Sequence, residues 1–261
     1  YICLPTPINS HMKTNTSRFS DRVDDYIKYR PTYPAQIIDI LNREINFNEQ
    51  RIVADIGSGT GISSHLFIQN NNKVFAVEPN KEMREGAEAI FKNNSLFISI
   101  NGTAEATTLS GASIDLIFCG QAYHWFDFDK TKTEFARILK PGGTIMLAWN
   151  ERSEHDPFQR EYDALLRANV PEYKEVTQKN IREDNMRAFF SPAIMQERAL
   201  AHAQYFNLEA LKGRLRSSSY CPKEGDIYYT LMEQVTSLFR KYEQNGVIAF
   251  NYETKIYWNQ Q

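Results

Sequence analysis

The sequence predicts an α/β fold built around a largely parallel β-sheet, and three observations support this. Between about residues 52 and 149, short β-rich runs alternate with helical stretches, which is typical of strand–helix–strand units. Each β-rich run is short and apolar, as expected of strands that helices cover on both faces. A glycine-rich segment, residues 57–61, follows the first run at the point where a strand would lead into a helix.

This central region is predicted to contain five strands and three helices. The predicted strands are Ile52–Ile56, Lys73–Val77, Leu96–Ile100, Ile114–Phe118 and Thr144–Trp149. The predicted helices are Gly61–Gln69, Asn80–Phe91 and Asp129–Leu139. The third helix is expected to end there because Lys140 precedes Pro141 and two glycines, and a cation followed by proline and glycine is typical of helix ends.

Further elements are predicted on either side of this region. Two helices, Asp21–Arg30 and Pro34–Ile45, precede it, and a charged stretch of helical pattern, residues 153–190, follows it. The remaining predicted elements are a strand over Glu197–Phe206, helices over Leu208–Arg216 and Ile227–Gln244, and a strand over Gly246–Trp258. Since no linker rich in Pro, Gly or Ser separates these parts, residues 12–261 are predicted to form one domain with a core (50–150), an inserted helical cap (153–190) and a C-terminal part.

Composition limits the classes of protein to which the chain can belong. Hydrophobic residues make up 42% of the 261 residues, which is ample for a buried core and excludes a disordered chain. The 30 Lys and Arg residues nearly balance the 32 Asp and Glu residues, which argues against a nucleic-acid partner. Three scattered cysteines suit neither a disulfide framework nor a metal site, and they favour a cytoplasmic location.

The hydropathy and the start of the chain lead to two further expectations. There is no run of 18 apolar residues, so no membrane-spanning helix is expected. The first eleven residues lack the charged-then-apolar order of a signal peptide, and Ser10-His11-Met12 indicates that residues 1–11 are vector-derived.

The segment Asp55-Ile56-Gly57-Ser58-Gly59-Thr60-Gly61 predicts a ligand-binding loop. Its glycines let the backbone approach a ligand and present N–H groups at a helix N-terminus, although a plain strand-to-helix turn would also tolerate them. A dinucleotide site requires G-x-G-x-x-G, but here the third glycine comes one residue early and Ile62 stands in its place. Asp55 would repel a pyrophosphate and suits a ligand with an ammonium group, so the loop argues against NAD.

Two acidic residues extend this predicted site. Glu78 ends the second predicted strand, 17 residues past Gly61, where an acid can accept both hydroxyls of a ribose. Glu105, in Gly102-Thr103-Ala104-Glu105 after the third strand, is placed to bind the exocyclic amine of an adenine. The alternative for this second segment is a capping Thr–Glu pair near a turn.

Taken together, these segments resemble the class I S-adenosylmethionine-dependent methyltransferases. The resemblance covers residues 50–150 and rests on Asp55–Gly61, Glu78-Pro79, Gly102–Glu105, Ile114–Ile117 and Leu139–Gly143. More narrowly, Tyr29–Pro34, Gln121–Asp127, Leu215–Tyr220 and Tyr252–Trp258 are similar to the type 11-like small-molecule branch that includes trans-aconitate methyltransferase-like proteins.

The resemblance implies both a fold and a cofactor. The fold would be a Rossmann-like, seven-stranded, mostly parallel sheet with the last strand antiparallel, helices on both faces, an N-terminal helical lid and a helical insert. The cofactor would be S-adenosyl-L-methionine, with S-adenosyl-L-homocysteine as product. The implied cofactor-binding residues are Asp55, Gly57, Ser58, Gly59, Glu78, Pro79, Met83, Ala104, Glu105, Cys119 and Gln121.

The resemblance also implies a role for each group of these residues. Asp55 would bind near the cofactor's ammonium group, and Glu78 would hold its ribose. Met83 would pack on the adenine, whose edge Ala104 and Glu105 would contact, and residues 119–121 would lie near the sulfonium.

Two residues are candidates for contact with the methyl acceptor. His124 is a possible general base, because its unperturbed pKa lies near 6.5, but it could equally pack the loop after the fourth strand. Arg30 could bind the carboxylate of a substrate or of the cofactor, because its planar fork suits carboxylates. It could instead be a surface arginine that packs on tyrosines. Tyr26, Tyr29 and Tyr33, which neighbour Arg30, could cover the pocket.

The predicted function is methyl transfer to a small-molecule acceptor, with a carboxylate or a hydroxyl as possible acceptor groups. Gln121-Ala122-Tyr123-His124 stands where many nucleic-acid and amine methyltransferases carry an Asn/Asp-Pro-Pro-aromatic motif, which argues against methylation of a base amine. The alternatives are a cofactor-binding protein without catalysis, which would serve as a sensing or interaction module, and a protein or RNA methyltransferase. The chain is expected to be a monomer or a homodimer, without a metal ion or a membrane partner.

Overall fold

The computed structural model describes residues 23–171, 173 and 183–260. The predicted vector-derived residues 1–11, and part of the predicted cap, lie outside these described residues. The described strands are β1 (Ile52–Ile56), β2 (Lys73–Val77), β3 (Phe97–Ile100), β4 (Ile114–Gly120), β5 (Leu139–Arg152), β6 (Ile194–Phe206) and β7 (Ile248–Gln260).

These strands form one sheet in the order β3-β2-β1-β4-β5-β7-β6. The five strands from β3 to β5 are parallel to one another, and β7 is antiparallel to both of its neighbours, β5 and β6. The structure therefore confirms the predicted seven-stranded, mostly parallel sheet with an antiparallel last strand.

The helices are close to their predicted positions. They are α1 (Val23–Tyr29), α2 (Gln36–Ile45), α3 (Ile62–Gln69), α4 (Lys81–Ile90), α5 (Phe128–Ile138), α6 (Pro157–Asn169), α7 (Glu183–Phe190), α8 (Leu208–Arg216) and α9 (Asp226–Tyr242). A short 3₁₀ turn, Tyr123–Trp125, follows β4. The largest difference from the prediction is β5, which begins at Leu139 rather than at Thr144, because Leu139 already pairs with Ile114 of β4.

Polar side chains fix the start of several helices. An Asn or Asp side chain at the N-cap accepts a hydrogen bond from a backbone N–H three residues further on, which satisfies a donor that the helix itself leaves unpaired. These caps are Asn80 for α4, Asp127 for α5, Asp156 for α6 and Asn207 for α8.

Alternating residues of the strands face two hydrophobic cores, one on each side of the sheet. On β4, Leu116 and Phe118 belong to one core, whereas Ile117 and Cys119 belong to the other. This is the period-two alternation of a strand that is buried on both faces. No described helix combines the length and the apolar character that crossing a bilayer requires.

A third hydrophobic core lies beyond the sheet, between α6, α8, α9 and the first half of β7. Tyr162 and Leu166 of α6, Tyr173 and Phe250 of β7 are all fully buried in it. The predicted cap therefore joins two different cores, because Phe189 of α7 packs against the sheet core instead.

Candidate active site

A cavity of about 390 Å³ lies at the carboxyl ends of β1, β2, β3 and β4. In parallel α/β sheets this is the edge at which ligands bind. Its walls come from the segments that follow these strands, namely 57–59, 78–80, 103–105 and 120–122, together with Met83 of α4. Tyr26 and Arg30 from the N-terminal region and Ser219 and Tyr220 from the turn after α8 also contribute to it.

The glycine-rich loop adopts a conformation that its glycines make possible. Gly57, Gly59 and Gly61 have φ values of 69°, 56° and 81°, a left-handed region that other residues rarely adopt. A Cβ atom on Gly57 would lie 2.5 Å from the Cβ of Ala122, so the loop packs closely against the segment after β4.

The N–H groups of this loop are directed at protein acceptors. Those of Gly57 and Ser58 donate to the carbonyl oxygen of Val77, at 2.8 and 3.2 Å, and that of Gly59 donates to a carboxylate oxygen of Glu78. Because a pyrophosphate site needs such donors for its own oxygens, this geometry agrees with the exclusion of NAD that the glycine spacing suggested.

Glu78 lies at the end of β2, on the cavity wall. One of its carboxylate oxygens accepts from the N–H of Gly59 at 3.0 Å, and the other accepts from the N–H of Asn80 at 2.8 Å. Burial raises the pKa of Glu78, while these two backbone hydrogen bonds oppose that rise. Each oxygen retains a further lone pair, so the carboxylate is able to accept the two hydroxyls of a ribose.

Asp55 is fully buried behind the cavity wall rather than in it. Its carboxylate accepts from the hydroxyl of Ser63, at 2.7 Å to the nearer oxygen, and from that of Ser64 at 2.6 Å. Burial raises its pKa to about 6, although both serine hydrogen bonds favour the charged form. Ser63 itself lines the cavity, so one side chain separates Asp55 from it.

The predicted adenine contacts come together at the same end of the cavity. Met83, Ala104 and Glu105 all line it, and so does Pro79. The carboxylate of Glu105 accepts from the N–H of Asp127 at 2.9 Å, so it also fixes the start of α5. Both readings of this segment, adenine contact and turn cap, are therefore compatible with the geometry.

At the end of β4, Gln121 lines the cavity, whereas Cys119, which is still within the strand, does not. Cys119 is fully buried, and burial raises the pKa of its thiol, so it is packed as part of the sheet core. Gln121 has a φ of 57°, which is uncommon for a residue other than glycine, and its amide donates to the carbonyl oxygen of Asn150 at 3.0 Å. Strained backbone of this kind is enriched at ligand sites.

The two candidate acceptor contacts, His124 and Arg30, both line the cavity. His124 lies in the 3₁₀ turn, with its ring centroid 4.7 Å from that of Trp125, so this contact is compatible with either of its predicted roles. Arg30 donates to the carbonyl oxygen of Ser217 at 2.9 Å, and its guanidinium lies 4.9 Å from the ring centroid of Tyr26.

Helix α1 bridges the cavity between α4 and α8. A Cβ on Gly86 of α4 would lie 2.7 Å from Val23, and a Cβ on Gly213 of α8 would overlap the ring of Tyr29. An ion pair of 3.0 Å between Asp25 and Arg216 adds a second link to α8. Sequence reasoning missed both glycines, since the one available signal was an isolated glycine within a helical pattern.

Comparison with known proteins agrees with this geometry. Residues 54–147 match a family described as a methyltransferase domain. The chain is 33% identical over 149 residues to an uncharacterised methyltransferase of Schizosaccharomyces pombe, and 34% identical over 148 residues to one of Mycobacterium tuberculosis. Each match covers 57% of this chain and 58% of the relative, so the chain spans less than two thirds of the length of these relatives.

Solved structures show the same fold over most of the chain. A candidate type II methyltransferase of Anaeromyxobacter dehalogenans is 20% identical, with a TM-score of 0.64, and the match covers 89% of this chain and 98% of the other. The YcgJ protein of Bacillus subtilis is also 20% identical, with a TM-score of 0.53 and coverage of 86% and 97%.

The family match identifies residues 54–147 as a methyltransferase domain, and the solved structures agree with it in fold. S-adenosylmethionine is the cofactor of class I methyltransferase domains, and the residues predicted to bind it that line the cavity include Gly57, Glu78 and Met83.

Proposed function

We propose that the chain transfers a methyl group from S-adenosylmethionine to a small-molecule acceptor. The observation that carries this proposal is the position of Glu78, which is held by Gly59 and Asn80 on the wall of a cavity that helix α1 bridges. At about 390 Å³, the cavity has the size of a small-molecule site, which is on the order of 300–1,000 Å³.

Different residues of the cavity would serve the cofactor and the acceptor. Gly57–Gly59, Glu78 and Met83 would hold the cofactor, while α1 and the turn after α8 would exclude water from the acceptor side. When bound, S-adenosylmethionine supplies a sulfonium methyl group, and transfer forms a bond from an acceptor lone pair to the methyl carbon as the carbon–sulfur bond breaks and its electron pair stays on sulfur. Holding the acceptor in line with the methyl group lowers the activation free energy by up to about 7–11 kcal/mol.

The acceptor group decides whether a base is needed. A carboxylate acceptor loses no proton, so positioning alone is sufficient. A hydroxyl acceptor must release its proton, and the imidazole of His124 lines the cavity where it could take that proton.

Calorimetric titration of the purified chain with S-adenosylmethionine, S-adenosylhomocysteine and NAD tests this proposal. Micromolar binding of the two sulfur nucleotides without binding of NAD supports it. Binding of NAD, or of none of the three, contradicts it. A screen of carboxylic acids, phenols and amines for production of S-adenosylhomocysteine then separates an enzyme from a cofactor-binding protein without catalysis.

A further inference from the structure

Strand β6 forms one edge of the sheet, and it is long and regular. It pairs with β7 at all 13 positions from Ile194 to Phe206, whereas strands are ordinarily about 5–6 residues long. Among the described residues, no strand pairs with the other side of β6. The backbone N–H and C=O groups of alternate residues therefore point from this edge towards a position that a further strand could occupy.

Much of this edge lacks the features that usually prevent strands from pairing edge to edge. Such features are charged side chains, proline and β-bulges. Residues 199–206 contain neither a charged residue nor a proline, and the register with β7 shows no bulge. The two charged residues of β6 come earlier, where the exposed side chain of Arg198 donates to the carbonyl oxygen of Glu197 at 2.8 Å.

Both ends of β6 expose hydrophobic side chains. Ile194 is 69% exposed and Tyr205 is 72% exposed, which makes them the two most exposed large hydrophobic residues of the described chain. In an antiparallel pair of β6 strands, the start of one strand lies beside the end of the other. Ile194 and Met195 of one copy would therefore contact Tyr205 and Phe206 of a second copy, and this would remove both exposed side chains from water.

The sequence of β6 is also nearly symmetric in character about its midpoint, Leu200. Residues at equal distances on either side of it are alike, namely Ile194 and Phe206, Met195 and Tyr205, Gln196 and Gln204, and Ala199 and Ala201. A two-fold axis perpendicular to the sheet at Leu200 places the members of each pair opposite each other and pairs all 13 residues. This is the self-complementarity that an interface between identical chains requires.

The charges of β6 favour the same register. An axis through Glu197 or Arg198 would place two like charges directly opposite each other, which is destabilising. With the axis at Leu200, Glu197 faces Ala203 of the second copy and Arg198 faces His202. Burial lowers the pKa of His202, so its ring is neutral and Arg198 meets no second cation.

We propose that β6 is a homodimer interface, in which two copies of the chain pair antiparallel about Leu200 and join their sheets into one of fourteen strands. Because 13 residues a side is fewer than the about 20–30 of a standard interface, we expect a dimer that dissociates in the micromolar range. Gln204 donates to the carbonyl oxygen of Arg30 at 3.2 Å, so the paired strand also supports a residue of the cavity wall.

Sedimentation velocity of the full chain, over a hundredfold range of concentration, tests this proposal without any ligand. The mass should rise from that of one chain to that of two as concentration increases. Ala201→Lys should raise the dissociation constant at least tenfold, because its two lysines would lie about 7–8 Å apart across the axis. Ile90→Lys, at the exposed end of α4, is the matched control and should change the constant less than twofold.

A mixture of two variants tests the register and controls for folding. Ala199→Lys and Ala201→Glu should each associate at least tenfold more weakly than wild type, since each places like charges near the axis. In the mixture, Lys at position 199 of one copy lies directly opposite Glu at position 201 of the other. Dimers should therefore form again in the mixture, which misfolded variants would not do.

Three outcomes overturn the proposal. The first is the mass of a single chain at every concentration. The second is a dimer that Ala201→Lys does not weaken, which would place the interface elsewhere, for example at the four-residue edge strand β3. The third is a mixture of Ala199→Lys and Ala201→Glu that associates no more tightly than either variant alone. All three leave the proposed methyl transfer unaffected, because none of them involves the cofactor.

Discussion

Replacing Asp55 by Asn tests two separate effects of this buried carboxylate, its effect on the free energy of unfolding and its effect on the affinity for the cofactor. Burial raises the pKa of Asp55 from 3.8 to about 6. A shift of about two units corresponds to about 3 kcal/mol, since each unit is 1.36 kcal/mol. Between pH 3.8 and 6 the folded chain holds a proton that the unfolded chain has lost, so stability falls by about this amount as pH rises through that window.

We therefore expect Asp55→Asn to be more stable than wild type at pH 7.5, by up to about 3 kcal/mol. The gain will be smaller if the hydroxyls of Ser63 and Ser64 cannot both keep a partner. Below pH 3.8 the two proteins should be equally stable, because Asp55 is then protonated in both states. Urea unfolding at pH 3.5 and at pH 7.5 measures the difference.

Asp115→Asn is the matched control with the opposite sign. Burial tends to raise the pKa of Asp115, but Lys140, the N–H of Ile52 and Arg51 together lower it. The Lys140 ammonium lies 2.7 Å from its carboxylate. This variant should lose stability at pH 7.5, and the loss should shrink as pH falls below 3.8, through the lowered pKa of the folded state.

Because Ser63 separates Asp55 from the cavity, the same substitution tests whether the buried carboxylate still acts on the cofactor's ammonium group from behind the wall. Asp55→Asn should bind S-adenosylhomocysteine at least tenfold more weakly at pH 7.5 despite its greater stability. In wild type at pH 5.5, where Asp55 is partly protonated, binding should release a fraction of a proton, because the ammonium favours the charged carboxylate. Titrations in two buffers of different ionisation enthalpy measure that release. A less stable variant with unchanged affinity would refute the reasoning and make Asp55 structural.

Three further predictions concern the cavity wall and its lid. Glu78→Gln should weaken S-adenosylhomocysteine binding by about 1–3 kcal/mol in calorimetry. The control Glu88→Gln, on the exposed face of α4, should leave the affinity unchanged. If Glu78→Gln also leaves it unchanged, Glu78 does not bind the ribose. His124→Gln should lower kcat about 10²-fold in a steady-state assay with a hydroxyl acceptor, and turnover near wild type would assign His124 to packing. Gly213→Ala should displace Tyr29 and speed amide hydrogen exchange over residues 23–29. Mass spectrometry measures the exchange, with Lys212→Ala as control. Unchanged exchange would contradict the close packing of α1 on α8.

The fold was largely predictable because its signals are local. Strands β1 and β2 begin and end where the apolar runs do, since the glycine loop and Pro79 interrupt the pattern directly after each strand. The early start of β5 was not predictable in this way. It depends on pairing between Leu139 and Ile114, which no local pattern of residues 139–143 reveals.

In the candidate site, too, some residues were predictable from local sequence and others were not. Residues that follow a strand were predicted, Gly57 and Glu78 from motif spacing and Gln121 from the family resemblance, and all three line the cavity. Asp55 and Cys119 lie within strands, where alternation and burial turn their side chains into the protein rather than into the cavity. Tyr220 belongs to a segment that the resemblance covers, but it was missed as a site residue because it lies 99 residues beyond Gln121, the last predicted cofactor-binding residue.

Asn150 shows why contacts between distant segments decide the shape of this cavity. Its side-chain amide donates to the carbonyl oxygen of Thr32 at 3.1 Å and accepts from the hydroxyl of Thr254 at 2.6 Å. Its own carbonyl oxygen accepts from Gln121 at 3.0 Å. One residue on β5 thus joins the segment before α2, the wall after β4 and the antiparallel strand β7. Because methyl transfer depends on alignment, this junction lets the C-terminal strand set the geometry of a wall that local sequence motifs alone do not determine.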